Sequence, residues 1–80
     1  MKIRLTDKSA YQYARLPKSI QRKADRQFDY LSSDLRHPSL HAKKYQGQNN
    51  LWQARIDRSW RFYFHIIEPD VVVVSIIQHP

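Results

Sequence analysis

From Leu51 onward the residues alternate so regularly that they dictate the two faces of a sheet. Trp52, Ala54 and Ile56 share one parity, and Gln53, Arg55 and Asp57 share the other. In the next segment Trp60, Phe62, Phe64 and Ile66 fall together, leaving Arg61, Tyr63 and His65 opposite. The last run places Val72, Val74 and Ile76 on the apolar side and Val73, Ser75, Ile77 and His79 on the other. Strand side chains alternate with a period of two, so this is the pattern of three antiparallel strands with one buried face. A two-residue loop at Arg58-Ser59 would pair Ile56 with Arg61 and set a charge beside the core. A three-residue loop from Asp57 to Ser59 instead pairs Ile56 with Trp60 and Arg55 with Arg61, and it preserves the faces. The same test predicts a loop of Glu68-Pro69-Asp70, pairing Ile66 with Val72 and Arg61 with Ile77. His79 is then one diagonal step from Arg61.

The N-terminal half supplies the layer that covers this sheet. Lys2-Ile3-Arg4-Leu5 alternates as a short strand with Ile3 and Leu5 inward. Thr6 and Asp7 are N-cap candidates for a first helix to about Arg15, with Ala10, Tyr13 and Ala14 buried. Pro17 breaks that pattern and suits the first turn of a second helix. There Ile20, Ala24, Phe28, Leu31 and Leu35 form one stripe at helical spacing, so the helix packs on something flat. Two helices joined at Leu16-Pro17 make a helical hairpin. His37-Pro38 is expected to end the second helix, because the residue before proline is pushed out of the helical region. Ser39 to Asn50 reads as a polar connector, with Gly47 and Asn49-Asn50 as turn formers and Leu40 and Tyr45 as anchors to the core. The expected architecture is α+β in a single domain, residues 1–80: strand, helical hairpin, then a three-stranded antiparallel meander.

Charge narrows the partners. The 80 residues hold 14 Lys and Arg against 7 Asp and Glu, a formal net charge of +7. Such an excess favours a polyanion: nucleic acid, an anionic membrane surface or an acidic protein. Nothing resembles a signal peptide, and the valines at 71–74 fall far short of the roughly 20 apolar residues a spanning helix needs. A cytoplasmic protein is expected. There is no cysteine, which excludes disulfides, thiol catalysis and cysteine zinc sites. His37 and His41 superficially have a metal-ligand spacing, but Pro38 interrupts any helix there and no third ligand is near. No phosphate-binding glycine loop, nucleophile elbow or carboxylate cluster is present. No metal and no cofactor are expected.

The chemistry is therefore sought on the polar face of the meander. Arg55 directly opposite Arg61 is unfavourable on an isolated sheet, by up to about 1 kcal/mol. An anion between them would explain the pair, because guanidinium forks match phosphate oxygens. Neutralisation by Asp57, Glu68 or Asp70, or simple solvation, would explain it as well. His79 titrates near neutrality when unperturbed and is a candidate acid or base; the other reading is a solvated terminal residue. Tyr63 could stack on an unpaired base or serve as a cross-strand packing residue. Lys43 and Lys44 add charge in the connector, as either binding groups or a solvated run.

Taken together these residues resemble the RelE/ParE superfamily of toxins from bacterial toxin–antitoxin pairs. The marks are His37-Pro38-Ser39-Leu40, Lys44-Tyr45-Gln46-Gly47, Leu51-Trp52-x-x-Arg55, Trp60-Arg61-Phe62-Tyr63-Phe64 and Ile77-Gln78-His79, in that order. The resemblance implies a curved antiparallel sheet with helices on one face and the active surface on the other. It implies a cognate antitoxin as partner. In the RelE-like branch it also implies metal-free, ribosome-dependent cleavage of mRNA, the ribose 2′-hydroxyl attacking the adjacent phosphate. Arg61 would then stabilise phosphoryl charge, His79 transfer a proton, and Arg55, Lys43, Lys44 and Tyr63 hold the RNA. Trp52 and Ala54 stand near positions where some members carry lysines, and Pro80 where others carry an aromatic residue. The ParE-like branch, which poisons DNA gyrase, requires none of these groups. A general nucleic-acid-binding module is the third reading.

Overall fold

Thr6 starts the first helix as its chemistry predicts: its hydroxyl oxygen accepts the Ser9 backbone N–H at 3.1 Å, filling one of the orphan positions at a helix start. The computed structural model describes residues 1–45 and 50–79. Along the chain run β1 (Lys2–Leu5), α1 (Asp7–Ala14), α2 (Lys18–Ser33), a 3-10 turn (Pro38–Leu40), β2 (Lys43–Lys44), β3 (Leu51–Arg55), β4 (Trp60–Ile67) and β5 (Asp70–Gln78). Gly47 and Asn49, expected to form a turn, lie outside the described residues, as does Pro80.

The strands form one sheet in the order β1-β5-β4-β3-β2. The predicted meander is its centre. Two features extend it: β1 pairs with β5 in parallel, and the dipeptide β2 adds an antiparallel edge to β3. Arg55 faces Arg61 across β3 and β4, and the Ile56 N–H donates to the Trp60 carbonyl at 2.9 Å, as the three-residue loop requires. Arg61 faces Ile77 as expected.

The other end of the β4–β5 ladder differs. Glu68 and Pro69 alone make the turn, Ile66 faces Val71 rather than Val72, and a bulge between Tyr63 and Phe64 restores the register. Val74 is the additional residue. The buried set is accordingly Val71, Val73 and Ile76, not Val72 and Val74. Four consecutive valines carry no parity signal, so the pattern alone could not show where the extra residue falls.

One core joins the layers: Ala24, Phe28 and Leu31 of α2 with Leu16, Leu40, Ala54, Ile56, Phe62, Phe64 and the three β5 residues. Phe28 meets Phe62 edge to face with centroids 5.1 Å apart, a geometry that adds roughly 1 kcal/mol to simple burial. The stripe on α2 is as expected, with Ile20 and Leu35 at its margins. The helix stops at Ser33, about one turn before His37-Pro38. Ser32 and Ser33 hydroxyls bond back to the Asp29 carbonyl, a competition with the ladder that weakens helix ends, and Asp34 is extended. Pro17 is the N-cap of α2 rather than its first residue.

On α1 Tyr13 packs half-buried against the core as expected, 6.5 Å from Phe28 between ring centroids, and the other inward residues are polar. Ala10 and Ala14 are exposed, while Ser9 is buried and donates to the Val73 carbonyl at 2.6 Å. Gln12 accepts the Ile76 N–H beside the bulge at 2.7 Å. The Val73 carbonyl thus takes a second donor beside the Thr6 N–H, and the Ile76 N–H finds its acceptor on α1. Leu5 is exposed as well, at the end of the edge strand where the chain turns into α1. Tyr45 does not anchor the connector: it is exposed and meets Tyr63 edge to face at 5.5 Å. Leu40 does, being fully buried.

Candidate functional site

The sheet face away from the helices holds a cleft of about 540 Å³ lined by His41, Ala42, Lys43, Gln53, Arg55, Arg61 and His79. No carboxylate is among these lining residues. Arg61 is the least exposed, at 7%. Its Nη1 donates to the carbonyls of Asp57 at 2.7 Å, Trp60 at 3.1 Å and Arg58 at 3.2 Å. A guanidinium has five N–H donors, so holding one nitrogen on the loop orients the group and still leaves donors for the cleft. Carbonyl acceptors make the burial tolerable without cancelling the charge.

The carboxylates that could have neutralised the arginine pair are engaged elsewhere. Asp57 accepts the backbone N–H groups of Ser59 and Trp60, both at 2.9 Å, and pairs with Lys23 at 3.3 Å. Asp70 pairs with Arg4 at 3.4 Å. Glu68 sits in the β4–β5 turn, at the far end of β4 from Arg61. Two guanidinium groups therefore face each other in a cleft with a further ammonium, Lys43, beside them. That is an anion site by charge and by donor geometry.

Asp57 fixes the loop that holds Arg61. Burial acts to raise its carboxyl pKa. Donation from the Ser59 N–H, the Lys23 ammonium and the Trp60 N–H outweighs burial and holds it below the usual carboxylate range. A carboxyl with a folded pKa below the unfolded value of about 3.9 stabilises the fold above about pH 4, and that contribution is lost as pH falls through the lowered folded value. Urea unfolding should therefore show Asp57→Asn less stable than the parent near about pH 6, with the gap closing toward about pH 3. A gap that persists in acid would show that the carboxylate's charge is not its source.

Of the residues expected from sequence, Arg55, Arg61, His79 and Lys43 come together. Lys44 points the other way, its ammonium 5.8 Å from the Trp52 ring centroid. Tyr63 is on the same face but outside the cleft lining, packed on Tyr45. His65 Nδ1 lies 2.9 Å from the Asn50 carbonyl oxygen, away from the cleft. His37 stacks on Tyr30 at 3.7 Å and accepts the Ser39 N–H, so it is separated from His41 in role. Among the described residues no group of three potential metal ligands occurs, and no helix is long and apolar enough to cross a membrane.

Two residues that position or line the site escaped sequence reasoning. His41 lines the cleft because β2 exists, and a lysine dipeptide gives no strand signal. Gln27 is 6% exposed; its amide nitrogen donates to the Arg55 carbonyl at 2.9 Å and the Ser39 carbonyl at 3.1 Å. It thereby ties α2 to both walls of the cleft. Its spacing, three after Ala24 and four before Leu31, already placed it on the buried stripe.

No protein-family model matches the chain, and no curated protein matches it in sequence. Solved structures do match the fold. The YoeB/ParE toxin from Agrobacterium tumefaciens superposes with a TM-score of 0.84 at 17% identity over 100% of both chains. The isolated E. coli RelE toxin gives 0.79 at 12%, over 99% of this chain and 84% of that one. RelE–RelB from Methanococcus jannaschii, an antitoxin–toxin complex, gives 0.78 at 13%, over 94% and 88%. The likeness runs over most of each chain, and this protein has the fold of these RelE and YoeB/ParE toxins.

Proposed function

We propose that this protein is the toxin of a toxin–antitoxin pair and that it acts as a metal-free endoribonuclease on mRNA at the ribosome, in the cytoplasm, held in check by a cognate antitoxin. The observation that carries the reading is the facing pair Arg55 and Arg61 in a cleft with Lys43 and His79 and without a lining carboxylate. A phosphodiester between the arginines would relieve their mutual repulsion, and a lining of cations and imidazoles offers a divalent metal no anionic ligand. In the cleavage, the ribose 2′-oxygen attacks phosphorus. Arg61 stabilises the charge that develops on the non-bridging oxygens, His79 transfers a proton, and Arg55 with Lys43 holds the backbone. Tyr63 with Tyr45 offers an aromatic surface for a longer RNA track beyond the cleft, whereas Lys44, turned toward Trp52, is not part of it. The fold supports the toxin reading, and the complexed state of RelE from Methanococcus jannaschii supports an antitoxin partner.

Induced in growing cells, the protein should cut translated mRNA at defined codon positions. His79→Ala should slow cutting by about 10²- to 10⁴-fold and relieve growth arrest while the circular dichroism spectrum stays unchanged. Primer extension on a translated transcript reads the cuts. Intact mRNA beside DNA breaks or arrested gyrase would instead establish the ParE-like reading, and intact mRNA with salt-sensitive, sequence-indifferent binding would leave a simple nucleic-acid-binding module.

A further inference from the structure

The cleft pairs a second imidazole with the first. Lys43 faces Gln53 at the edge of the sheet, and His41, two residues before Lys43, lines the same cleft as Arg55. Arg55 faces Arg61, and Arg61 faces Ile77. His79 lies two residues past Ile77, its N–H on the Ser59 carbonyl at 2.5 Å. Two imidazoles and two guanidinium groups thus line one cleft, with the arginines between the strands that carry the histidines' neighbours. The two carriers approach the arginine pair from opposite sides: His41 comes from the connector just before β2 and His79 from just past the end of β5, with β3 and β4 between these strands.

Building on the nuclease reading above, we infer that His41 is the second proton-transfer residue of this cleft, working opposite His79 across the scissile phosphate. The chemistry calls for two such groups. In an in-line displacement the attacking 2′-oxygen and the departing 5′-oxygen stand on opposite sides of phosphorus, so one imidazole cannot serve both. One neutral imidazole takes the 2′-hydroxyl proton as the O2′–P bond forms. The other, as imidazolium, gives its proton to the 5′-oxygen as the P–O5′ bond breaks. The products are a 2′,3′-cyclic phosphate and a 5′-hydroxyl, and the proton balance closes between the two histidines.

The backbone fixes His41 for this task. It is left-handed, with φ 47° and ψ 42°, at the end of the 3-10 turn, its N–H on the Pro38 carbonyl at 3.3 Å. That conformation is unfavourable for a residue with a Cβ, and strain of this kind persists where the surroundings over-determine it; Gln27 on Ser39 is one such constraint. His41 and Ala42 also form the rib between the cationic cleft and a more apolar one of about 420 Å³ against Trp52 and Pro38. An RNA strand occupying both must cross His41. The charged or titratable groups around it are Lys43, Arg55, Arg61 and His79 on one side and Arg36 and His37 on the other.

The test uses the full chain on ribosomes carrying a short mRNA, with His41→Asn, since asparagine tolerates the left-handed backbone. His41→Asn should lower the single-turnover rate by about 10²- to 10⁴-fold without weakening binding of a non-cleavable 2′-deoxy RNA, and it should remove one limb of a bell-shaped pH–rate profile. His79→Ala should remove the other limb. Replacing the departing 5′-oxygen with sulfur, which leaves without a proton, should restore one variant and not the other. A His41→Asn rate within about twofold of the parent with both limbs intact would overturn this inference alone, as would rescue of both variants or of neither. No cleavage by the parent protein would overturn the nuclease reading, and this inference with it.

Discussion

Arg61→Lys is expected to lower mRNA cleavage by about 10²- to 10³-fold, the usual loss when a preorganised charge-stabilising donor is removed. Lysine keeps the charge but not the planar fork. In the parent, the fork is what allows one nitrogen to rest on the Asp57, Arg58 and Trp60 carbonyls while other donors serve the phosphate. A single ammonium has to choose between them. In the proposed mechanism the charge that Arg61 meets develops only in the transition state, so the loss should fall in kcat. Arg55→Lys is the internal comparison. A residue that holds the ground-state backbone should move KM and leave kcat nearly unchanged. Single-turnover rates across a range of protein concentrations separate the two constants. Equal kcat losses in both variants would show that the arginines are not divided in role. The Arg61 variant should also lose about 1–2 kcal/mol of stability from its loop contacts, too little to unfold it.

Phe62→Ala is expected to cost about 3–5 kcal/mol. Phe62 is fully buried and contacts Phe28 edge to face from the helix layer and Phe64 at 5.6 Å within the strand. It is the ring through which α2 and the centre of the sheet meet. A domain of this length has a total stability of roughly 4–12 kcal/mol, so the change removes about a quarter of it or more. Each kcal/mol shifts the midpoint of a domain this size by roughly 4–8 °C, which puts the expected fall in Tm above about 10 °C. Urea and thermal unfolding both measure it, with Phe62→Leu as the milder partner. A cost under about 1 kcal/mol would mean that the helices and sheet are held together elsewhere.

The fold was legible where burial and periodicity agree. The three central strands, the α2 stripe and the Arg55–Arg61 pair all follow from which residues must avoid water. What was hidden is what burial does not write into residue type. The inner face of α1 carries Ser9 and Gln12 because it must satisfy sheet backbone groups, and polar residues there look like solvent-facing ones. β2 is two lysines, strand only because β3 offers an edge. Of the cleft, the half on β3, β4 and β5 was readable from parity. The half on the connector was not, because His41 reaches it through a left-handed residue that has no period at all.

The additional residue at Val74 has a consequence beyond the ladder. Without it, Phe64 would still face Val73, Tyr63 would still face Ser75, and Ile76 would still point into the core, so neither face of the sheet depends on the bulge. What a bulge supplies is bend and added twist. It lies just upstream of the stretch that ends at His79, whose N–H meets the hairpin loop cradling Arg61. Fold and aim are therefore separable in this strand. Val71 and Val73 before the bulge belong to the core, and the bend that follows would aim His79, the proposed proton-transfer group, into the cleft.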